Sequence, residues 1–510
     1  MRQVTAILLS VLLLSILVWQ GVQYVTLGAA AISFPFELDY GEGIVWEQAR
    51  QIFSNGAYGP IARFPAVVFH YPPVFHVLAR GVAALSGMDG LAAGRLVSVA
   101  STLGISATIG TLAAWLTDEA TPKVSRLGAA LVGSLLVLCI GSVVNWSVLM
   151  RVDMLAHLLS LSGLLFGICA LRRPLLVIPT ATCFLLSVYT KQTSVAAPAA
   201  FIGVALWLQP RLALQCLALC LSVGLGVLAL LTEGTDGGFL RHVFLYNVNR
   251  VDWAQLKALY VLGEQVLPLC FAALLGAVLT GVSLRGSGEP ALALFRRGRH
   301  DHSQQSATFL VLSAYAVMTA LLLLAIVKSG AAYNYTIEFT LVLCAFAAAG
   351  VVRLFTAARN PSGAPLDVTY AVRVLAAASL LSAQGLMLLK PYQHRLASPA
   401  YRRAMEALSV RIRQTSGPVI SDDMVLLVRA GKRIELEPAI VTELASVGIW
   451  DERAYVRRIE TREFAMIVSE EMPDSRSFLL RHTPAVTAAV LRHYRVRDTL
   501  AGLVLSLPTR

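Results

Sequence analysis

FELDYGEGIVW, residues 36–46, opens a polar island that runs to HYPP at residues 70–73. A hydrophobic segment precedes it, and hundreds of mostly apolar residues follow. Carboxylates at a membrane face are costly and are usually kept for function. Asp39, Glu42 and Glu47 stand just beyond the first apolar run, where an enzyme meeting a lipid-borne substrate would place them.

The composition bounds the class. The 510 residues are 56% hydrophobic and 14% charged, with mean hydropathy +0.68. A soluble chain of this length cannot hide so much apolar surface, so this is a polytopic membrane protein. The formal charge of +12 implies no nucleic-acid partner. Much of it lies in short loops and the tail, where it orients helices and meets membrane lipid. All seven cysteines fall in apolar segments and no CxxC occurs, so neither a disulfide framework nor a zinc site is indicated. Arg2 and the apolar run Val4–Val18 resemble a signal peptide without a clear small-residue cleavage site. They read as an uncleaved first span.

A span needs ~20 apolar residues. The pattern predicts about eleven, near 4–27, 93–116, 127–144, 153–171, 175–190, 194–209, 211–231, 262–284, 307–327, 333–356 and 368–389. The segment PVFHVLARGVAALSG, residues 73–87, carries His76 and Arg80 and is short. It reads as an interfacial helix in the first outer loop. With the N-terminus inside, the basic loop at 285–306 is inside and the polar island is outside. The expected fold is an all-α polytopic membrane domain, residues 1–389, followed by a small soluble α/β domain, residues 390–510. Helix-like stretches in the latter are Ala400–Gln414 and Val486–Tyr494, and strand-like ones are Val419–Ser421 and Phe464–Ser469. Parity places this domain outside, in a multi-pass protein of the cell membrane, with a bacterial inner membrane as the expected setting.

Five constellations map to that outer face. In Asp39-Tyr-Gly-Glu42-Gly the glycines permit a turn that aims both carboxylates at one site. Glu47 and Arg50 beyond it also read as plain helix charges. His70-Tyr71-Pro-Pro is an extended segment stiffened by two prolines. Arg151-Val-Asp153 sits where the third span turns into the fourth, as chemistry or as a structural ion pair. Lys191, in the very short turn of YTKQT, is a natural partner for a lipid phosphate, or an interface anchor. Lys328, Asn334, Tyr335 and Glu338 gather cation, amide, aromatic and carboxylate in eleven residues. The loop from Tyr246 to Trp253 has similar content. There is no Walker loop, HExxH, GxSxG or dinucleotide fingerprint.

The order of these motifs resembles the glycosyltransferase C superfamily, in the branch of the protein O-mannosyltransferases and lipid A aminoarabinose transferases. The likeness covers roughly residues 1–390. It rests on DYGEG followed by WEQAR, YPPVFHVLARGVAALSG, AAGRLVSVAST, RVDMLAHLLSLSGL, YTKQTS and KSGAAYNYTIEF. The resemblance implies an integral-membrane enzyme that takes a sugar from a polyprenyl-phosphate carrier on the outer face, typically with inversion. In many members the first loop carries Asp-Glu, with the Asp as catalytic base. Counting back from Ala49-Arg50, Glu42 matches that Glu and Gly41 falls on the Asp. Either Glu42 or Asp39 has taken over the role, or the chemistry is altered.

The primary expectation is a cell-envelope glycosyltransferase acting on a lipid, glycan or protein hydroxyl. Glu42 or Asp39 would be the base. Asp153 would orient the acceptor or a metal, and Arg151, Lys191 or Lys328 would neutralise the leaving phosphate. Asn334, Tyr335, His70 and Tyr71 would contact substrate. Asp39, Glu42 and Asp153 together with phosphate would suit Mg or Mn. All three carboxylates are expected in one cavity. The rival is a membrane transporter or lipid-binding protein, because intramembrane charges also mark transport paths. It would place its polar groups near the bilayer centre.

Overall fold

The computed structural model describes residues 2–118, 121–247, 249–286, 303–328, 331–357, 368–386 and 391–509. The basic stretch with Arg296, Arg297 and Arg299, on which the orientation rests, lies outside the described residues. The helices run α1 (Arg2–Ser33), α2 (Glu42–Gln51), α3 (Val74–Ser86), α4 (Gly90–Trp115), α5 (Lys123–Val137), α6 (Gly141–Ser147) and α7 (Asp153–Ala170). They continue as α8 (Val177–Val188), α9 (Ala196–Leu208), α10 (Pro210–Glu233), α11 (Gly238–Val243), α12 (Lys257–Gly286), α13 (Gln304–Leu322), α14 (Ile337–Ala357) and α15 (Val368–Leu386).

Each expected span coincides with helix. Seven helices among the described residues are long and apolar enough to cross a membrane, or eight if α5 and α6 form one span bent by 65°. The remainder, including α8 and α9, are apolar but shorter. Helix α3 matches the expected interfacial segment and leaves Leu85, Val77 and Leu78 exposed. Burial is uneven. The apolar window of α10 is 6% buried, whereas those of α4, α7 and α14 are 61%, 67% and 89% buried. Those three helices form the centre of the bundle, and their N-terminal ends carry Arg95, Asp153 and Glu338.

A buried arginine organises the first loop. Arg95, in the second turn of α4, is fully buried. Its Nη1 donates to the carbonyls of Ala31 and Phe34 at 2.7 Å each, and its Nη2 to that of Phe36 at 2.7 Å. Its Nε and Nη2 also grip the Glu42 carboxylate at 2.8 and 2.6 Å. One guanidinium thus binds the carbonyls at and just past the end of α1 and fixes the start of α2. Glu42 receives two further donors, the amides of Leu38 and Met150, both at 2.8 Å.

The C-terminal region comprises α16 (Gln393–Leu396), α17 (Pro399–Gln414), β1 (Val419–Ser421), α18 (Met424–Arg429), α19 (Pro438–Ser446), α20 (Arg453–Glu460), β2 (Met466–Ser469), α21 (Pro484–His493), β3 (Tyr494–Leu500) and β4 (Leu503–Pro508). The sheet order is β1-β2-β4-β3, with β1 and β2 parallel and the other pairs antiparallel. Strands β3 and β4 eluded sequence reading; YRVRDTL is an edge strand exposed at five of its seven positions, and Asp498 interrupts its apolar alternation. This region seats on the first loop. Arg429 pairs with both oxygens of Asp89, at 2.6 and 2.8 Å, and lies over Trp46. Arg395 donates to the carbonyls of Glu37 and Leu38 at 3.1 Å each. Ile61, Ala66 and Val68 enter its core, and the Ala66 amide donates to the Glu435 carbonyl at 2.7 Å. Helix α18 rests directly on α2. A Cβ on Gly43 would come 2.5 Å from the Val425 amide nitrogen, so only glycine permits the contact.

Removing one member of the Arg95–Glu42 pair leaves an uncompensated buried charge. Arg95→Leu and Glu42→Leu are each expected to cost about 3–5 kcal/mol, read as a drop in the thermal midpoint of the purified protein. The double replacement should recover part of that loss. Two single variants as stable as the parent would show that the pair does not hold the loop.

Candidate active site

Arg151 is the electrostatic hub of the polar residues at these helix ends. It follows α6 and stands two residues before α7. Its Nη2 donates to the Tyr40 carbonyl and reaches Asp39 Oδ2 at 3.5 Å. The guanidinium lies 5.3 Å from the Trp146 ring, and the Trp146 indole donates to Asp153 Oδ2 at 2.8 Å. Asp39 and Asp153 therefore flank one Arg–Trp unit, although 112 residues separate Asp39 from Arg151. Gly41 makes this possible. Its φ of 92° is left-handed, and a Cβ there would meet the Arg151 guanidinium at 2.8 Å. The position without a carboxylate is the position that Arg151 overlies.

The carboxylates do not form one cluster. Glu42 faces inward, with its oxygens filled by Arg95 and two backbone amides. Burial raises its pKa, but Arg95 and these bonds hold it below the ordinary range. This is a structural anion, and the geometry leaves it no free edge for a proton or metal. Asp39 differs, with 39% of its side chain exposed. Burial raises its pKa more than Arg151 lowers it. Glu47 makes only pairs within α2, to Arg50 at 2.8 Å and Gln51 at 2.6 Å, as plain helix charges would.

Asp153 is buried and ties three elements together. Lys191 donates to its Oδ1 at 2.6 Å and Asn334 at 2.8 Å, while Trp146 holds the other oxygen. Lys191 also lies 5.3 Å from the Tyr335 ring. The turn between α8 and α9 is thereby pinned to the starts of α7 and α14. Reading Lys191 as a free phosphate partner overlooked this. Its charge is spent on Asp153.

Among the described residues Lys328 donates to a neutral partner, Asn247 Oδ1 at 2.9 Å. Burial, then Lys191, lowers its pKa. Asn247 and Gln192 both donate to the His70 carbonyl, at 3.1 and 3.0 Å, so the HYPP segment is moored beside Lys328 and Lys191. Burial, then the charges of Arg151, His76 and Lys328, push the His70 pKa down to about 3, leaving a neutral imidazole. Tyr71 stands among Asp153, Arg151, Lys191 and Tyr335, and burial pushes its pKa up to about 12.

The C-terminal region closes one side. Arg481 stacks on Tyr40 at 4.1 Å, and the Ala439 amide donates to the Tyr40 hydroxyl at 3.3 Å. Buried Glu437 feels Arg151 and Arg481, yet burial pushes its pKa up to about 7. Asp423, the N-cap of α18, is raised to about 6 by burial beside Glu37, which is itself pushed well up. The metal set Asp39, Glu42 and Asp153 is not assembled, because each carboxylate faces a different cation. Among the described residues no group of three or more His, Cys, Asp or Glu could hold an ion.

Two cavities adjoin the site. An apolar groove of about 270 Å³ lies among α8, α10 and α11, lined by Phe184, Leu221, Leu225 and Phe239, with Pro72 and Gln192 at its polar end. A smaller cavity of about 70 Å³ lies below Lys191, lined by His157, Ser194, Asn334, Tyr335 and Glu338. Sequence reading did not single out Arg95, His157 or Trp146 as site residues. The signal for Arg95 and His157 was present, since each is an ionisable residue inside an apolar segment and such residues need a partner.

No family model and no curated protein matches the chain. Solved structures do. ArnT from Cupriavidus metallidurans bound to undecaprenyl phosphate is 15% identical over 96% of this chain and 97% of its own, with TM-score 0.56. Its apo state gives 14% identity, the same coverage and TM-score 0.58. The apo oligosaccharyltransferase of Archaeoglobus fulgidus gives 11% identity over 98% of this chain and 74% of its own, with TM-score 0.52. This chain's fold, a multi-span helical bundle followed by a small C-terminal sheet domain, is thus shared with ArnT and with the archaeal oligosaccharyltransferase.

Proposed function

We propose that this protein is an integral-membrane glycosyltransferase that moves a sugar from a polyprenyl-phosphate carrier to an acceptor hydroxyl at the outer membrane face. The observation that carries the reading is the convergence on Arg151. A half-exposed carboxylate, Asp39, lies on one side of it, and Lys191 and Lys328 lie beyond Asp153 and His70 on the other. An apolar groove begins at Gln192 and Pro72, beside those cations. The ArnT structure with undecaprenyl phosphate supports the carrier class. A transporter would gather its charges near the bilayer centre. Here they stand at helix ends, with Asp153 opening α7, Lys191 between α8 and α9, and Asn334 just before α14.

In this reading Asp39 takes the proton of the acceptor hydroxyl as its oxygen attacks the anomeric carbon. The bond from that carbon to the phosphate oxygen breaks, and its electron pair leaves with the lipid phosphate. Lys328 and Arg151 meet the charge that develops there, in a site walled by hydrocarbon where such contacts are strong. Attack from the side opposite the phosphate inverts the anomeric centre. Asp153 acts at one remove by holding Lys191 and Asn334. The upward shift of Asp39 makes it a stronger base than an exposed carboxylate.

The test is incubation of the purified protein with radiolabelled polyprenyl-phosphate sugars and candidate lipid, glycan and protein acceptors. Asp39→Asn is expected to lower turnover by about 10²–10⁴-fold with little change in thermal midpoint. Because the base works ionised, activity should fall as pH drops through the raised pKa of Asp39, and Asp39→Asn should flatten that limb. Placing a carboxylate at position 41 by Gly41→Asp should displace Arg151 and reduce activity. A gain instead would show that position 41 can serve as the base site.

The two lysines should part company. Lys328→Met is expected to weaken carrier-phosphate binding by about 10–100-fold, the value of a charge-assisted hydrogen bond, with stability unchanged. Lys191→Met strands Asp153 and should cost about 3–5 kcal/mol of stability, read by thermal unfolding. Equal stability of both variants would mean that Asp153 does not depend on Lys191.

The C-terminal domain seats on the loop that carries Asp39, so the reading requires it outside the cytoplasm. A reporter active only in the cytoplasm, fused after Arg510, should be silent. A strong signal would put the site on the wrong face.

A further inference from the structure

The cavity below Lys191 holds an unusual set of unmet polar atoms. Both ring nitrogens of His157, Glu338 Oε1, Asn334 Oδ1 and Ser194 Oγ are buried without a hydrogen-bond partner. All four residues line the same space of about 70 Å³. His157 is one turn past Asp153 on α7, and Glu338 is one turn past Asn334, on α14. Their facing atoms, His157 Nδ1 and Glu338 Oε1, are 3.5 Å apart and not aligned as a hydrogen bond. Buried polar groups in a folded protein are normally paired. Here they converge on one cavity that neither the proposed base nor the phosphate contacts use.

Resting on the carrier-sugar reading above, we propose that this cavity receives the hydroxylated edge of the donor's sugar ring, with His157 and Glu338 reading the hydroxyls of a neutral hexose. The unmet set mixes acceptors, at Glu338 and Asn334, with groups that both give and take a proton, at Ser194 and His157. A row of sugar hydroxyls has that dual character. A divalent cation does not suit the space, because the Lys191 ammonium lines it. An acidic sugar does not suit it either, because its carboxylate would face Glu338 while Lys191 is engaged by Asp153. At ~12 Å³ per water the cavity of about 70 Å³ would otherwise hold about six waters. Lys191 lines its wall and lies near enough to Lys328 for its charge to lower the Lys328 pKa, so a ring seated here would lie beside that phosphate contact.

The test uses the full chain in nanodiscs and four probes: undecaprenyl phosphate, and undecaprenyl phosphate linked to glucose, mannose or galactose. At least one hexosyl lipid is expected to bind about tenfold tighter than the bare lipid phosphate. His157→Phe and the isosteric Glu338→Gln should each erase that increment and leave bare-lipid affinity within about twofold. Without ligand, His157→Phe should be no less heat-stable than the parent, because it removes atoms that lack partners. Hexosyl lipids that bind no tighter than the bare lipid would overturn this inference and leave the carrier reading standing. A parent that binds none of the four would remove both. Variants that lower affinity for bare and hexosyl lipids alike, with a lower thermal midpoint, would assign the cavity to structural water and overturn the inference.

Discussion

The ion pair between Arg95 and Glu42 is the constraint on which the first loop and the cluster built on it depend. A carboxylate and a guanidinium, both fully buried, repay their desolvation only with good geometry and full satisfaction. Both conditions are met. Arg95 spends its donors on Glu42 and on three carbonyls that end α1 and begin the loop. Glu42 adds the amide of Met150, which leads directly into Arg151. The pair therefore sets the position of Asp39 from one side and of Arg151 from the other.

That arrangement divides labour among carboxylates. Glu42 is saturated and Asp153 is locked by Lys191, Asn334 and Trp146, so their charges organise structure. Asp39 meets one guanidinium nitrogen of Arg151 at 3.5 Å, feels the charge of Arg395 as well, and keeps part of its surface open. A group can exchange a proton only if its lone pairs are not all committed, and by that measure Asp39 stands apart from the other two. The cations divide in the same way. Lys191 balances a buried anion, while Lys328 is held by an amide. Neutral partners leave charge available for a ligand.

The C-terminal region is a wall of this site as well as an appendage to the bundle. Its arginines clasp the first loop through backbone carbonyls, Asp89 and the faces of Trp46 and Tyr40. It also brings Glu437 toward Arg151. The contact is close enough that Gly43 must lack a side chain. The glycines of DYGEG therefore serve two different neighbours, Gly41 making room for Arg151 and Gly43 for α18.

Much was legible in the sequence. Apolar run length determines helix wherever the solvent is hydrocarbon, because every backbone group must then be satisfied within its own segment. Hence the helical runs, the short helix of the first loop and the change of character toward the C-terminus could be read off hydropathy, although only seven of the described helices, or eight with the bent pair, are long and apolar enough to cross a membrane. The motifs at the helix ends, among them Asp153, Lys191 and Asn334, were visible because a charge or amide beside an apolar run must be placed for a reason. Tertiary structure alone decided how those residues are partnered. Glu42 and Asp39 are three positions apart and look alike in sequence, yet one meets Arg95 and the other meets Arg151. Those partners come from α4 and from the approach to α7, and no local pattern encodes which of them a carboxylate will face. The role of an ionisable group is set by the charges and backbone donors around it, and these are assembled only when distant helices pack.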